Sequence, residues 1–172
     1  SYTSCGAQKA IEPLLGDYPY TRFSDFEVNV KVEDLQRGID LFRQHQCDYV
    51  IGIGGGSVMD MAKAIALLAR EESSLESVIK GDVEIVGRDI GSVMIPTTAG
   101  TGSESDRYSV VYIGKTKYSL THDSNLPDYA LLDATFTLDL PKKITAVTGM
   151  DALAQSIESY WSTKSTKKSK EY

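Results

Sequence analysis

Residues 52–57 read Gly-Ile-Gly-Gly-Gly-Ser, directly after the apolar run that begins at Tyr49 and directly before a segment with helical periodicity. Three successive glycines strip the turn of Cβ atoms, so backbone N–H groups can close on an anion. The N-terminus of the following helix adds partial positive charge to the same spot. The spacing differs from Gly-x-Gly-x-x-Gly, because Ser57 occupies the sixth position, and no Gly-Lys-Ser/Thr follows to make a Walker loop. Two readings of these residues stand side by side. One is a phosphate cradle; the other is a tight turn whose helix is capped by Ser57, with Asp60 completing a capping-box-like pair.

A second group is Pro96-Thr97-Thr98-Ala99-Gly100-Thr101-Gly102-Ser103, which follows the apolar stretch Val93 to Ile95. Hydroxyl residues and glycines at the carboxyl end of a strand suit a ligand crevice, since open α/β sheets bind their ligands there. A third group lies in the segment after Thr148. Asp151, Gln155 and Glu158 fall on one helical face through the i, i+4, i+7 relation. On its residues alone, Asp151 suits a capping position three residues after Thr148. The two histidines read as polar surface residues: His45 at a solvated helix end, and His122 in a polar turn.

These groups require a scaffold of alternating strands and helices. Helices are expected over Ala7 to Leu15, over the stretch marked by Val32, Leu35, Ile39 and Phe42, and over Ser57 to Arg70. Strands are expected over Tyr20 to Phe26, Tyr49 to Ile53, Val93 to Ile95 and Tyr129 to Leu132. Tyr108 to Ile113 and Lys117 to Thr121 flank Gly114-Lys115 as a hairpin. The alternation predicts an α/β fold with a parallel, helix-covered sheet. From Pro141 the pattern becomes purely helical: a short turn over Ile144 to Val147, then a helix capped by Thr148 with Leu153, Ile157, Tyr160 and Trp161 as its apolar stripe. Ser165 to Lys168 reads as the cap and first turn of another helix.

The 172 residues suffice for about one domain. The net charge of −6 argues against a nucleic-acid-binding surface, and the one basic run, Lys164 to Lys170, reads as a solvated helix face. No apolar stretch reaches the roughly 18 residues of a membrane span. Cys5 and Cys47 are too few for a disulfide framework, which favours a reduced, cytoplasmic compartment.

Three segments in this order, Gly54 to Lys63, Pro96 to Glu104 and Thr148 to Glu158, resemble the iron-containing, metal-dependent alcohol dehydrogenases. The resemblance implies an N-terminal Rossmann-like NAD(P)-binding domain, with helices on both faces of a parallel sheet, over residues 1–140. It also implies the first helices of an all-helical metal and substrate domain over residues 141–172. The chain then reads as an N-terminal piece of a longer, homo-oligomeric protein, inactive by itself. The resemblance assigns Gly55, Gly56 and Ser57 to the cofactor pyrophosphate, with Asp60 beside them, and Thr97, Thr98 and Thr101 to the cofactor crevice. It assigns Asn29 to the adenosine side, although Val28 and Val30 stand where the family has prolines. Lys117 falls where the family has a lysine near the nicotinamide ribose; on its residues alone it is an exposed hairpin lysine.

Asp151 and Gln155 match two metal-ligand positions, of which the second is histidine in the family. Either Gln155 coordinates through its oxygen or hydrogen-bonds a water or substrate group, or the metal, iron or zinc, is absent. The implied reaction is hydride transfer between NAD or NADP and a primary alcohol or aldehyde, with no assigned proton donor. The stretch from Asp151 to Ser162 is similar to a subgroup that includes phosphonoacetaldehyde reductases, which implies a small, anionic aldehyde. The alternatives are a lyase of the dehydroquinate synthase type, which shares the architecture and uses NAD transiently, and a cofactor-binding module without activity.

Overall fold

The computed structural model describes residues 2–87 and 89–171. In chain order its elements are α1 (Ala7–Leu15), α2 (Val32–Gln44), β1 (Tyr49–Gly54), α3 (Gly56–Leu68), α4 (Leu75–Lys80), β2 (Gly91–Pro96), β3 (Tyr108–Ile113), β4 (Thr116–Thr121), β5 (Tyr129–Ala130) and α5 (Lys142–Trp161), with short 3-10 turns between them. β1, α3 and β2 form the central unit. The two strands run parallel, paired from Tyr49 with Gly91 to Gly54 with Pro96, and β5 joins the other edge of β2, also in parallel.

Alternation along β2 divides the core. Val93 and Ile95, with Ile53 of β1, meet Ala7 and Ile11 of α1 and Phe136. Met94, from the opposite face, meets Met59 and Ala62 of α3, with Val50 against them. Successive strand side chains point to opposite faces, so α1 and α3 cover the two sides of the sheet. The outer side of α3 builds the largest cluster, in which Ile65 and Leu68 pack with Leu35 and Ile39 of α2, Leu75 and Val78 of α4, and Val111 and Leu120 of the hairpin. The fold is the α/β, Rossmann-like arrangement the sequence implies.

Three local expectations fail for identifiable reasons. Tyr20 to Phe26 is not a strand: Phe23 and Phe26 stack with ring centroids 5.4 Å apart and pack against the main cluster, but no neighbouring strand offers them a ladder. Ser57 is not the cap of α3. Gly55 holds that position in extended geometry, the helix starts at Gly56, and the Ser57 hydroxyl accepts the Asn29 N–H at 3.2 Å. There is no break before Thr148 either. α5 runs unbroken from Lys142, and the Thr148 hydroxyl donates to the Ile144 carbonyl at 3.0 Å, as a threonine inside a helix does. The short helix α4 was not expected at all.

α5 contrasts with the rest of the chain, because none of its 20 residues is buried and its apolar side chains, Leu153 and Trp161 among them, stand in solvent. After it, Thr166 and Ser169 exchange side chain to backbone hydrogen bonds around a 3-10 turn, Lys168–Lys170. Among the described residues no helix is long and apolar enough to cross a membrane.

Candidate cofactor site

The carboxyl ends of β1 and β2 lie side by side, and the Thr97 N–H donates to the Gly54 carbonyl at 2.8 Å just beyond the last paired residues. The glycine turn and the threonine segment are therefore neighbours by construction of the parallel pair. Gly54 has a steric reason to lack a side chain, since a Cβ there would lie 2.6 Å from Val58 on the first turn of α3. The N–H groups of Gly56 and Ser57 open the helix and have no carbonyl a turn earlier to receive them. The helix dipole adds to their pull on an anion.

Thr98 and Thr101 stand over this turn. A Cβ on Gly55 would meet the Thr98 side chain at 3.4 Å, and one on Gly56 would meet the Thr101 methyl at 3.1 Å. The hydroxyls of Thr97 and Thr98 are buried without a hydrogen-bond partner among the described residues. Buried polar groups are as a rule satisfied, so two orphaned hydroxyls beside free helix N–H groups mark a cradle shaped for a polar ligand. NAD(P) fits this cradle: its pyrophosphate is an acceptor for the N–H groups, and its polar edges can satisfy the threonines.

Asn29 lies beside the turn. Its φ of 68° is the left-handed conformation that asparagine tolerates better than most residues, and its N–H bonds Ser57 as described. Lys117 is exposed on β4, opposite Tyr112, whose N–H donates to the Val30 carbonyl next to Asn29. Asp60 has other partners than the turn: its carboxylate accepts from the Ser103 hydroxyl at 2.7 Å and from the Val110 N–H at 3.3 Å. Burial raises its pKa above the usual carboxylate value, against the Ser103 hydrogen bond and the charge of Lys63.

The threonine segment also reaches α5. At Gly100, with φ 154°, a Cβ would sit 2.1 Å from the Thr148 carbonyl oxygen, so only glycine allows this approach. One and two turns beyond Thr148 lie Asp151 and Gln155; the Gln155 amide donates through Nε2 to Asp151 Oδ2 at 2.9 Å, and both side chains are exposed. The donor set is hard and oxygen-based, a carboxylate and an amide carbonyl. It suits part of a divalent ion's shell, and the described residues contain no group of three or more His, Cys, Asp and Glu side chains that could complete it.

Residues 3–134 match the family described as iron-containing alcohol dehydrogenase. The chain belongs to that family. A curated relative is long-chain-alcohol dehydrogenase 1 of Geobacillus thermodenitrificans, 36% identical over 140 residues that make up 80% of this chain and 35% of the relative. Among solved structures, an iron-containing alcohol dehydrogenase of Thermotoga maritima is 34% identical with a TM-score of 0.90, covering 99% of this chain and 47% of that one. Sulfoacetaldehyde reductase of Bifidobacterium kashiwanohense, solved in complex with NAD+, is 32% identical with a TM-score of 0.86, covering 93% of this chain and 43% of that one. The chain thus spans about a third to a half of the length of these relatives.

In this member of the iron-containing alcohol dehydrogenases, sequence reasoning missed Lys63 and Asp106, and read Ser103 only as part of the crevice segment. Lys63 is fully buried on α3 and donates to Asp106 Oδ1 at 2.7 Å and to the Tyr108 carbonyl. A lysine in a helix reads as surface, and its partner lies 43 residues away. The one available signal was position, since Lys63 lies inside the otherwise apolar run from Met61 to Leu68.

Proposed function

We propose that Gly55, Gly56 and Ser57 hold the pyrophosphate of NAD or NADP, and that Thr97, Thr98 and Thr101 line the crevice for the rest of the cofactor. The complete protein is then an alcohol dehydrogenase. It moves a hydride between the cofactor and a primary alcohol or its aldehyde, so that alcohol and NAD(P)+ give aldehyde, NAD(P)H and a proton. The observation that carries this reading is the pair of buried, partnerless Thr97 and Thr98 hydroxyls beside the open N-terminus of α3.

When bound, the nicotinamide supplies the hydride chemistry, and the residues of this chain bind and orient it. The Gly56 and Ser57 N–H groups would donate hydrogen bonds to the pyrophosphate, and the Thr97 and Thr98 hydroxyls would hydrogen-bond the cofactor's polar groups. Asn29, bonded to Ser57, would stand on the adenosine side, and Lys117 of the hairpin would serve the ribose. A divalent metal, iron in the family's description, supplies polarisation of the substrate oxygen; Asp151 and the Gln155 carbonyl oxygen are the residues here that would hold it. The substrate class is a small, anionic aldehyde, a reading supported by the Asp151 to Ser162 stretch and by the likeness to a sulfoacetaldehyde reductase. Residues 1–140 serve as the cofactor domain and 141–172 as the start of the metal and substrate domain of a cytoplasmic homo-oligomer, in keeping with two free cysteines.

The test is NADH absorbance with the full-length protein and a panel of alcohols and aldehydes that includes anionic aldehydes. A steady, substrate-dependent change supports the dehydrogenase. No net change with any substrate contradicts it, and turnover without net cofactor change would indicate the dehydroquinate synthase type of chemistry instead.

A further inference from the structure

The most unusual side chain in the molecule is Lys63. Its side chain has no solvent exposure, and its ammonium group sits between two carboxylates, 2.7 Å from Asp106 Oδ1 and 3.9 Å from Asp60 Oδ1. Asp106 also accepts the Tyr108 N–H at 2.8 Å, while Asp60 accepts from Ser103 and Val110. Burying charges costs free energy that well-packed apolar residues would not incur, so a buried ionic cluster calls for a reason other than stability.

Its position gives that reason. Asp60 and Lys63 lie on the first two turns of α3, the helix whose N-terminus is the glycine turn. Ser103 and Asp106 lie on the segment that leaves the threonine loop. The loop's entry is pinned by the Thr97 to Gly54 backbone bond, and its exit by the Ser103 to Asp60 bond. The Ser103 N–H in turn donates to Thr101 Oγ1 at 3.3 Å, and the Thr101 methyl is the group that closes over Gly56. A continuous line of contacts therefore runs from Lys63 through Asp60 and Ser103 to the roof of the cradle.

We propose that Asp60 and Lys63 are positioning residues, which set the height of the threonine loop above the glycine turn by holding Ser103 and Asp106, and which do not themselves touch the cofactor. The proposal rests on the NAD(P)-binding reading and deepens it. It removes Asp60 from direct cofactor contact and makes Ser103 a brace of the loop through Asp60 and not a crevice-lining hydroxyl.

NADH titration by fluorescence, with the full-length protein, separates the two levels. Ser103→Ala deletes one buried hydroxyl, Asp60→Asn keeps the shape, and the double variant tests whether both act through one contact. Each single variant is expected to weaken NADH binding about tenfold, the scale of a hydrogen bond to a charged group. The double variant is expected to be no weaker than the worse single one, with thermal midpoints close to wild type. Affinity within twofold of wild type for Ser103→Ala overturns the proposal. So does an additive double variant, or a loss confined to Asp60→Asn, because Asp60 would then contact the cofactor directly. If the wild-type protein itself fails to bind NADH, the cofactor reading fails, and the proposal that depends on it falls for that separate reason.

Discussion

α3 and α5 are both substantial helices that touch the threonine loop, yet they hold their places in opposite ways. α3 buries nine of its 13 residues between the sheet, α2 and the hairpin, whereas α5 buries none of its 20. α3 is the more apolar of the two, but α5 is not short of apolar side chains. Ile144, Val147, Met150, Leu153, Ile157 and Tyr160 recur along α5 at helical spacing, and all are exposed. What α3 has and α5 lacks among the described residues is a set of elements that bury it; α5 is approached closely by Gly100 at the Thr148 carbonyl and by Lys170 over the Tyr160 ring. The cofactor cradle thus sits on a helix fixed by its own packing, while the Asp151–Gln155 pair sits on a helix that buries none of its residues against the described part of the chain.

Truncations can break that contrast. Leu68→Ala in α3, at a fully buried position, is expected to cost about 2–5 kcal/mol of unfolding free energy. Leu153→Ala in α5, half exposed, is expected to cost less than about 0.5 kcal/mol. Urea denaturation of the chain measures both, and equal costs would mean that α5 is as firmly packed as α3.

Gly100→Ala sharpens the contrast at the contact itself. The added methyl meets the Thr148 carbonyl and cannot be accommodated without displacing the loop or the helix, and the positive φ adds strain. The expected cost is about 1–3 kcal/mol from overpacking, with a shift of amide resonances around Thr148 and the threonine loop but not at the α2–α3 contact. Shifts confined to residue 100 and its sequence neighbours would show that the contact bears no load.

The pH response is the smallest of these effects and concerns the α3 side alone. The Asp60 pKa is raised above 3.8, with burial as the leading cause. The folded chain therefore holds that proton more tightly than the unfolded chain does, and stability falls as pH rises from 3.8 through the folded pKa, then levels off. Asp60→Asn removes the titration, so the wild type should lose stability relative to this variant across that window. Midpoint measurements against pH check it, and a difference independent of pH would contradict it.

Much of the α3 side was legible because its signals are local. The apolar run ending in Ile53, the triple glycine and the spacing of Met61, Ile65 and Leu68 fix a strand, turn and helix within twenty or so residues. The failures came where a partner decides the outcome. Tyr20 to Phe26 is rich in aromatics, as strands often are, yet Phe23 and Phe26 stack on each other and pack on the core without a neighbouring ladder. Ser57 looked like a cap because serine usually is one, but in an all-glycine turn the backbone starts the helix unaided and leaves the hydroxyl for Asn29. The burial of Lys63 was hard to read, since Asp60 is a local i, i+3 neighbour but Asp106, its nearer counter-charge, joins it only in the folded chain. On α5 the Asp151–Gln155 pairing followed from the i, i+4 spacing, while the exposure of its apolar stripe did not.

The central claim is that the glycine turn and the threonine loop together hold a dinucleotide pyrophosphate. The most direct measurement is an NADH titration of the full-length protein beside its Gly56→Val variant, whose Cβ would already lie 3.1 Å from the Thr101 methyl and whose branches would crowd the cradle. Saturable binding by the wild type, weakened at least about tenfold in a variant that remains folded, is the result this account predicts. Equal affinity in the two proteins would contradict it.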